Sequence, residues 1–357
     1  MLEMYSDRGL PCLKKQKMKY TIYLLFTLML ISSCHKQAVK EEDNQPEEVV
    51  DSRKNCNSIY YWKTVFALSD KERSFLKEHQ IERMYIRYFD IYMSDGSPGP
   101  EATIRFQDSI PSGIEIIPTV FIDNELFKNC NMNVYPKKII NRILVMSETN
   151  NVSGVKEVQI DCDWTKSTEI DFFLFLEMAR KLLSEHQIKL SVTVRLHQLN
   201  MQVPPVDRGV LMCYNTGSVR SDKTHNSILA ANDVAPYAKR LSGYKLPLDL
   251  AYPAFSWAVW FEDGNFKSLL RNLKPDNENL KPISGNRFRV IDGFYQEGHY
   301  LSKSDVVRFE FSDFSEIIRT KKLLEHQLEN FSVILYHLDE NNLSKYTDNE
   351  ISKIYTH

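Results

Sequence analysis

The sequence lacks the short motifs that hold metal ions or phosphate groups in many enzymes. Neither His-x-His, His-Glu-x-x-His nor Cys-x-x-Cys occurs in its 357 residues, and no glycine-rich phosphate loop is present. An excess of positive charge is also missing. The 45 basic and 47 acidic residues give a formal net charge of -2, without the basic face that nucleic acid requires. We therefore expect no metal, no cofactor and no nucleic-acid partner.

Cysteine is scarce and unclustered. Beyond Cys34, the cysteines of the mature chain are Cys56, Cys130, Cys162 and Cys213, and their spacing fits no ligand set. Cys162 and Cys213 lie within apolar segments, which predicts buried thiols. The sequence leaves open whether any two cysteines form a disulfide.

The N-terminal segment has the layout of an export signal. Several lysines precede an apolar stretch at residues 20–31, which is short for a membrane span. The stretch ends in Leu-Ile-Ser-Ser-Cys34, which resembles a bacterial lipobox. The resemblance implies cleavage before Cys34 and attachment of lipid to that residue. A transmembrane anchor is the alternative, and Met18 is a candidate start.

The next segment has the composition of a flexible tether. Residues 34–57 are polar and acidic and contain no aromatic side chain. We expect residues 1–33 to be a signal peptide, residues 34–57 a lipidated tether and residues 58–357 one folded domain. The early acids resemble the surface-export tethers of Bacteroidetes-type lipoproteins. The predicted location is therefore the cell envelope, at the outer membrane, on its periplasmic or its outer face.

From Ser58 onward, strand-like and helix-like segments alternate. Helical patterns cover residues 69–80, 136–148, 168–186, 232–242, 314–330 and 343–355. Strand patterns cover residues 58–66, 83–90, 115–122, 157–163, 189–196, 210–214, 246–252 and 332–338. Eight strands with intervening helices or long loops predict an α/β fold of the (β/α)8 barrel type, a TIM barrel.

The connection between the seventh and eighth predicted strands is longer than one helix requires. Residues 257–311 contain turn and strand patterns and many aromatic side chains. We interpret this segment as a small insertion on the side of the barrel where active sites form. A disordered loop is the alternative, and the aromatic content argues against it.

The fourth predicted strand has one apolar and one polar face. Side chains alternate along a strand, so two sets separate here. The apolar set is Val158, Ile160, Cys162 and Trp164, and the polar set is Gln159, Asp161, Asp163 and Thr165. Carboxylates on an inner face need partners, ligands or chemistry to justify burial, and the carboxyl ends of barrel strands carry active sites.

Other strands also have polar inner faces. In the fifth strand the polar face carries Ser191, Thr193, Arg195 and His197. In the second strand Arg87 shares a face with Tyr85 and Phe89, and Asp90 ends the strand. We expect a network in which Arg87 or Arg195 pairs with Asp161. For each of these residues, a structural role or the capping of a turn is the alternative.

Two of these segments resemble family 18 glycoside hydrolases, the chitinase group. Residues 160–165 are similar to its fourth-strand signature, Asp-Gly-x-Asp-x-Asp-x-Glu. In the sixth strand, Met212-Cys213-Tyr214-Asn215 is similar to its Met-x-Tyr-Asp. The stretch from Ser58 also resembles uncharacterised bacterial barrel proteins related to these hydrolases. The resemblance implies a TIM barrel that acts on a glycan.

Three departures from the signature bear on activity. Thr165 stands where the chitinase group has its general acid, and threonine cannot deliver a proton at neutral pH. The leading Asp-Gly is replaced around Gln159, and Asn215 replaces the Asp of the sixth strand. The resemblance still implies that Asp163 orients a substrate N-acetyl group and that Tyr214 hydrogen-bonds the same group.

Three interpretations follow. A divergent glycoside hydrolase, slightly favoured, would use Asp161, Asp163 and Tyr214 as catalytic residues. Its substrate-binding candidates are Asp90, Arg195, Asn215, Tyr252 and Trp257, and its candidates for a second carboxylate are Asp90, Asp123, Glu262 and Asp339. A glycan-binding pseudoenzyme would use the faces of Tyr214, Tyr252, Trp257 and Trp260. A structural lipoprotein of the envelope would use none of them.

Overall fold

Eight parallel strands close into a barrel, which confirms the predicted fold class. The computed structural model describes residues 54–94, 96–129 and 134–356. The barrel strands are β1 (Asn57–Tyr61), β2 (Ile81–Ser94), β3 (Glu115–Ile122), β4 (Glu157–Asp161), β5 (Lys189–Arg195), β6 (Arg208–Met212), β7 (Leu248–Pro253) and β8 (Val333–Tyr336). Each strand pairs with its neighbours in sequence, and β1 closes the barrel by pairing with both β2 and β8.

Helices pack around the barrel, and all but Leu126–Asn129 and Glu340–Leu343 lie in segments predicted to be helical. They are α1 (Asp70–Glu78), α2 (Leu126–Asn129), α3 (Tyr135–Thr149), α4 (Glu169–Ser184), α5 (Ala231–Leu241), α6 (Phe314–Leu324), α7 (Glu340–Leu343) and α8 (Asp348–Tyr355). Short 3-10 helices follow β5 at Leu196–Asn200 and α6 at Glu325–Gln327. Ser69 begins α1 with a capping box, because its hydroxyl accepts from the Glu72 amide while the Glu72 carboxylate accepts from the Ser69 amide.

The apolar face of β4 packs outward against the helices, as its alternation predicts. Cys162 is 1% exposed and Trp164 is fully buried. The Trp164 ring stacks on Phe172 of α4 with 5.9 Å between ring centroids. Cys56, Cys162 and Cys213 are free thiols, and Cys162 and Cys213 are buried as predicted.

The second strand differs most from its prediction. It runs to Ser94 and folds back as a hairpin with Ser97–Glu101, so Asp90 lies within the strand rather than at its end. The pairing with β3 shifts register between Arg87 and Phe89, which marks a β-bulge. The bulge reverses the alternation, so Phe89 packs in the outer core and does not share the inner face with Arg87.

The insertion between β7 and α6 is an antiparallel sheet with its own small core, which confirms the predicted insertion. In spatial order its strands are Asn265–Leu270, Ser256–Glu262, Val306–Phe311, Arg287–Val290 and Leu280–Ser284. A hairpin of Phe294–Gln296 and His299–Leu301 lies beside it. Trp260 is 7% exposed within the insertion core, and its Nε1 donates to Asp305 at 2.8 Å.

The predicted signal peptide, Cys34, Cys130 and the tether up to residue 53 lie outside the described residues. Asn57, the last residue of the predicted tether, begins β1. None of the helices in the described ranges has the length and apolar character needed to cross a bilayer.

Candidate functional site

Aromatic rings line the carboxyl end of the barrel. Tyr214 stacks on Tyr336 with 5.0 Å between ring centroids, and Phe255 meets both rings edge-on at 5.9 and 5.8 Å. Tyr60 and Trp62 extend the cluster from β1, at 5.4 and 5.6 Å from the Tyr336 ring. We call this cluster of five rings the aromatic floor. Its faces and edges offer the apolar side of a ligand site.

Asp161 lies at the end of β4 on the inner face, as predicted. It is 4% exposed, and its carboxylate accepts a hydrogen bond of 2.6 Å from the hydroxyl of Thr193. Burial raises the pKa of Asp161, while the charge of Arg195 opposes that rise. The structure therefore places a buried carboxyl group with a raised pKa just beneath the mouth of the barrel.

Asp163 lies two residues further on, beyond the end of β4, with 55% of its side chain exposed. Its carboxylate accepts a hydrogen bond from Nε of Arg195, a side chain that is only 18% exposed. Burial alone would lower the pKa of Arg195, but the carboxylates of Asp161 and Asp163 outweigh that effect and raise it. The Nη1 atom of Arg195 is buried and has no hydrogen-bond partner within the described part of the chain.

The prediction that Arg87 or Arg195 pairs with Asp161 is wrong, because each arginine pairs with a different aspartate. Arg87 pairs with Asp90, donating from Nε at 2.6 Å, and its guanidinium lies 5.6 Å from the centroid of the Trp62 ring. The bulge in β2 brings Asp90 onto the inner face beside Arg87. Each arginine therefore neutralises a carboxylate other than Asp161, and Arg195 acts on Asp161 only through its charge.

Tyr214 presents a hydroxyl without a partner. The residue is 4% exposed, and its hydroxyl has no hydrogen-bond partner among the described residues. Burial raises the pKa of Tyr214 well above the ordinary range, so the hydroxyl stays protonated and can donate. By contrast, the neighbouring Tyr60 hydroxyl donates to Gln159 at 2.7 Å. A buried hydroxyl that lacks a protein partner is unusual and points to a ligand or to water.

Two of the residues that differ from the chitinase signature, Thr165 and Asn215, face solvent. Thr165 is exposed, and its hydroxyl lies 2.9 Å from the Ser167 hydroxyl. Asn215 is exposed with a positive φ of 56°, and its backbone N–H donates to the Ile228 carbonyl at 2.7 Å. Neither side chain contributes an acid to the mouth of the barrel.

Tyr252 lies on the wrong side of the barrel wall for the predicted contact with a ligand. It is fully buried in the outer core, and Lys321 of α6 lies 5.7 Å from its ring centroid. Trp257 is closer to the site, because its ring packs on Phe255 at 5.1 Å. Its Nε1 donates to Glu310 at 2.7 Å, so Trp257 forms part of the wall between the insertion and the barrel.

The other candidate carboxylates have local structural roles. Asp123 accepts from the Glu125 amide, and Asp339 caps α7 by accepting from the Asn342 amide. Glu262 pairs with Lys267 at 2.5 Å within the insertion sheet. The structure thus leaves Asp161, Asp163 and Asp90 as the carboxyl groups of the site.

Four of the five rings were not predicted as site residues, namely Tyr60, Trp62, Phe255 and Tyr336. Trp62 and Tyr336 continue the alternation that puts Tyr60 and Ile334 on the inner face, so strand periodicity could have found them. Phe255 follows the end of β7, and its position depends on the path of the insertion. No local pattern signals it.

Among the described residues, one set of three possible metal ligands lies close together, formed by Glu78, His79 and Asp348. It sits beside the amino end of β2, away from the aromatic floor. Glu78 and Asp348 are exposed, and exposed acids commonly cluster without an ion. The geometry therefore does not define a metal site.

Comparisons with known proteins identify structures with the same fold but at low sequence identity. No protein-family model matches the sequence, and the search of curated proteins finds no match. Among solved structures, a C-terminal domain assigned as a chitinase from Desulfitobacterium hafniense DCB-2 aligns with a TM-score of 0.51 and 13% identity, covering 85% of this chain and 99% of that one.

Two further chitinase structures align similarly. The chitinase of Chromobacterium violaceum ATCC 12472 gives a TM-score of 0.50 and 12% identity over 84% of this chain and 97% of that one. The third structure is a variant of catalytic domain 2 of the Ostrinia furnacalis Group II chitinase, in complex with an N-acetylated chitooligosaccharide. It aligns with a TM-score of 0.50 and 9% identity, covering 85% of this chain and 96% of that one. The protein therefore has the barrel fold of chitinase-like proteins.

Proposed function

We propose that the carboxyl end of the barrel binds a glycan that carries N-acetyl groups, and that it does so without hydrolysing it. The observation that carries the proposal is the buried hydroxyl of Tyr214, which has no hydrogen-bond partner among the described residues and on which the charges of Arg195, Asp161 and Asp163 act. The hydroxyl can donate to an amide carbonyl, and the exposed Asp163 carboxylate can accept from an amide N–H. The bound chitooligosaccharide of the Ostrinia furnacalis domain supports this ligand class.

The lack of a suitable proton donor is why we favour binding over hydrolysis. Glycosidic cleavage needs an acid that protonates the leaving oxygen. Thr165 cannot supply it, and Asp163 is engaged by Arg195. A pseudoenzyme that keeps the contacts to the sugar and has lost the acid fits these residues.

A divergent glycoside hydrolase is the second candidate, favoured by one observation. Burial raises the pKa of Asp161, which lies two residues from the exposed Asp163. A carboxyl group whose pKa is raised by its surroundings is the usual general acid of such enzymes. In this version Asp161 would hold the proton, and a substrate would have to reach it past Arg195.

The deciding experiment uses the full-length protein and oligomers of N-acetylglucosamine. Calorimetry measures binding, and chromatography of the same mixtures detects cleavage. Binding that weakens in Tyr214→Phe and Asp163→Asn, with no product, supports the pseudoenzyme. Product that disappears in Asp161→Asn identifies the hydrolase. The absence of both binding and product favours a structural lipoprotein.

We also propose that the protein is held at the cell envelope by lipid on Cys34. The proposal rests on the lipobox-like sequence and the acidic tether. Incorporation of labelled palmitate into the wild type, and its loss in Cys34→Ala, is the expected result. Equal labelling of both proteins would exclude Cys34 as the anchor.

A further inference from the structure

A groove with a volume of about 940 Å³ lies outside the aromatic floor. It is bordered by the loop after β6, the first turns of α5 and α6, and the last strand of the insertion, Val306–Phe311. We call it the α5–α6 groove. Its volume falls within the range of about 300–1,000 Å³ that is common for sites of small ligands.

The lining of the α5–α6 groove is polar, and it contains one ion pair, between Glu316 and Arg319. Glu316 accepts from the Ala231 amide at 2.7 Å and from Arg319 at 2.5 Å, and Arg319 also donates to Asn232 at 2.9 Å. Asp313 caps α6 by accepting from the Ser315 amide at 2.8 Å. Because the lining holds more acidic than basic side chains, it does not attract an anionic ligand.

Hydroxyl and aromatic groups of the lining can meet a ligand. Ser218 and Thr224 come from the loop after β6, and Tyr237 of α5 is half-buried at the groove wall. The hydroxyl of Thr216 in the same loop already accepts from the Ala230 amide at 3.0 Å. Phe311 is 51% exposed, which leaves a large apolar face open at the edge. Aromatic faces beside hydroxyl groups suit sugar rings, which are apolar on their faces and polar at their rims.

A peptide strand fits this groove less well. Val306–Phe311 pairs along its length with Ser256–Glu262, and on its other side residues 306–308 pair with residues 287–289. Beyond that pairing, the Phe309 amide donates to the Asn286 carbonyl at 2.9 Å and the Phe311 carbonyl accepts from Nδ2 of Asn226 at 2.8 Å, so these main-chain groups are already bonded and not open to β-augmentation. The helix starts that border the groove are already capped by Glu316 and Asp313.

The groove shares a wall with the aromatic floor. Glu310 lines the groove, and its carboxylate accepts from Nε1 of Trp257 at 2.7 Å and from the Ser227 hydroxyl at 2.5 Å. The Trp257 ring packs on Phe255, which belongs to the aromatic floor. A ligand in the groove and a ligand at the aromatic floor would therefore lie on either side of Trp257 and Glu310.

We propose that the α5–α6 groove is a second glycan-binding site, which takes a neutral oligosaccharide of N-acetylglucosamine with Phe311 and Tyr237 as its apolar contacts. The proposal rests on the proposed function for its ligand class only, because the groove and the aromatic floor consist of different residues. Binding at each site can therefore be measured separately.

The test is photoaffinity labelling of the full-length protein with a tetramer of N-acetylglucosamine that carries a diazirine. Labelled peptides are located by mass spectrometry. We expect label both at the aromatic floor and in peptides from residues 216–237 and 309–319. Phe311→Ala should lower groove labelling by roughly two- to tenfold, as expected for the loss of one aromatic contact, and leave labelling at the floor unchanged.

Tyr295→Ala is the matched control, because Tyr295 is an aromatic residue of the same insertion, 78% exposed and outside the groove. It should leave both labelling patterns unchanged, while Tyr214→Phe should reduce only the label at the floor. Label at the floor alone, or groove label that is insensitive to Phe311→Ala, would overturn the second site and leave the proposed function standing. No label at either place would overturn both.

Discussion

Replacing Tyr214 with Phe removes a single hydroxyl from the proposed site and leaves the ring. The ring contacts with Tyr336 and Phe255 do not involve that oxygen. Because the hydroxyl has no hydrogen-bond partner among the described residues, the substitution breaks no bond within this part of the protein. It therefore separates the function of the hydroxyl from the stability of the barrel.

The expected effects on stability and on binding have opposite signs. A buried hydroxyl that is left without a partner costs about 1–3 kcal/mol, and water in the mouth would offset part of that. Tyr214→Phe should therefore raise the free energy of unfolding by up to about 2 kcal/mol. Loss of a hydrogen bond to the glycan, worth about 0.5–1.5 kcal/mol, should raise the Kd for the glycan roughly two- to twelvefold.

The assay combines urea unfolding with calorimetric titration of an N-acetylglucosamine oligomer. Two further tyrosines calibrate it. Tyr244→Phe removes another hydroxyl without a partner among the described residues, in the loop between α5 and β7 at the opposite end of the strands, so it should not change the Kd. Tyr60→Phe removes the donor to Gln159 at 2.7 Å and should lower stability by about 1 kcal/mol.

Two results would refute the reasoning. If Tyr214→Phe lowers stability as much as Tyr60→Phe does, then its hydroxyl is satisfied inside the protein. If the Kd is unchanged while the glycan still binds, then the ligand does not contact Tyr214. Either result would remove the observation that carries the proposed function.

Three further predictions concern pH, a buried ion pair and the missing acid. Burial lowers the pKa of His337 from 6.5 to about 4, so the unfolded chain binds the proton more tightly. The free energy of unfolding should fall by up to about 3 kcal/mol from pH 7 to pH 4, and urea unfolding of His337→Gln should show a smaller fall. Glu310→Ala should cost about 3–5 kcal/mol in the same assay, because it leaves the fully buried Arg308 without the carboxylate at 2.6 Å. Replacing both residues with Met should recover part of the loss, since Trp257 and Ser227 still lack the acceptor that Glu310 gave them. Thr165→Glu should give hydrolysis of an N-acetylglucosamine oligomer that the wild type lacks, as a reducing-end assay measures, because it supplies the general acid.

Each of these has a matched control. His186→Gln changes an exposed histidine and should keep the pH dependence of the wild type. Thr165→Gln has the size of Glu without the acid, so hydrolysis equal to that of Thr165→Glu would contradict the acid role. A double Met variant as unstable as Glu310→Ala would show that the ion pair is not the cause of the loss.

Strand periodicity correctly predicted which side chains of two strands point into the barrel. The alternation along β4 and β5 placed Asp161, Thr193 and Arg195 on the inner face, since successive side chains of a strand point to opposite sides. The same reasoning failed for Tyr252, because β7 reads Leu-Asp-Leu-Ala-Tyr-Pro and is apolar at most positions. Asp249 pairs with Arg208 inside the barrel, which puts Tyr252 outside together with Leu250.

The sequence alone determined the barrel and the residues of its polar inner face, because hydrophobic periodicity is a local property that survives without any tertiary contact. Only the tertiary structure decided which charges meet. The bulge in β2 turned Asp90 toward Arg87, and Arg195 reached Asp163 instead of Asp161. The path of the insertion brought Phe255 and Trp257 beside Tyr214 and opened the α5–α6 groove. Such pairings depend on distances across strands and loops far apart in the chain, which no local pattern encodes.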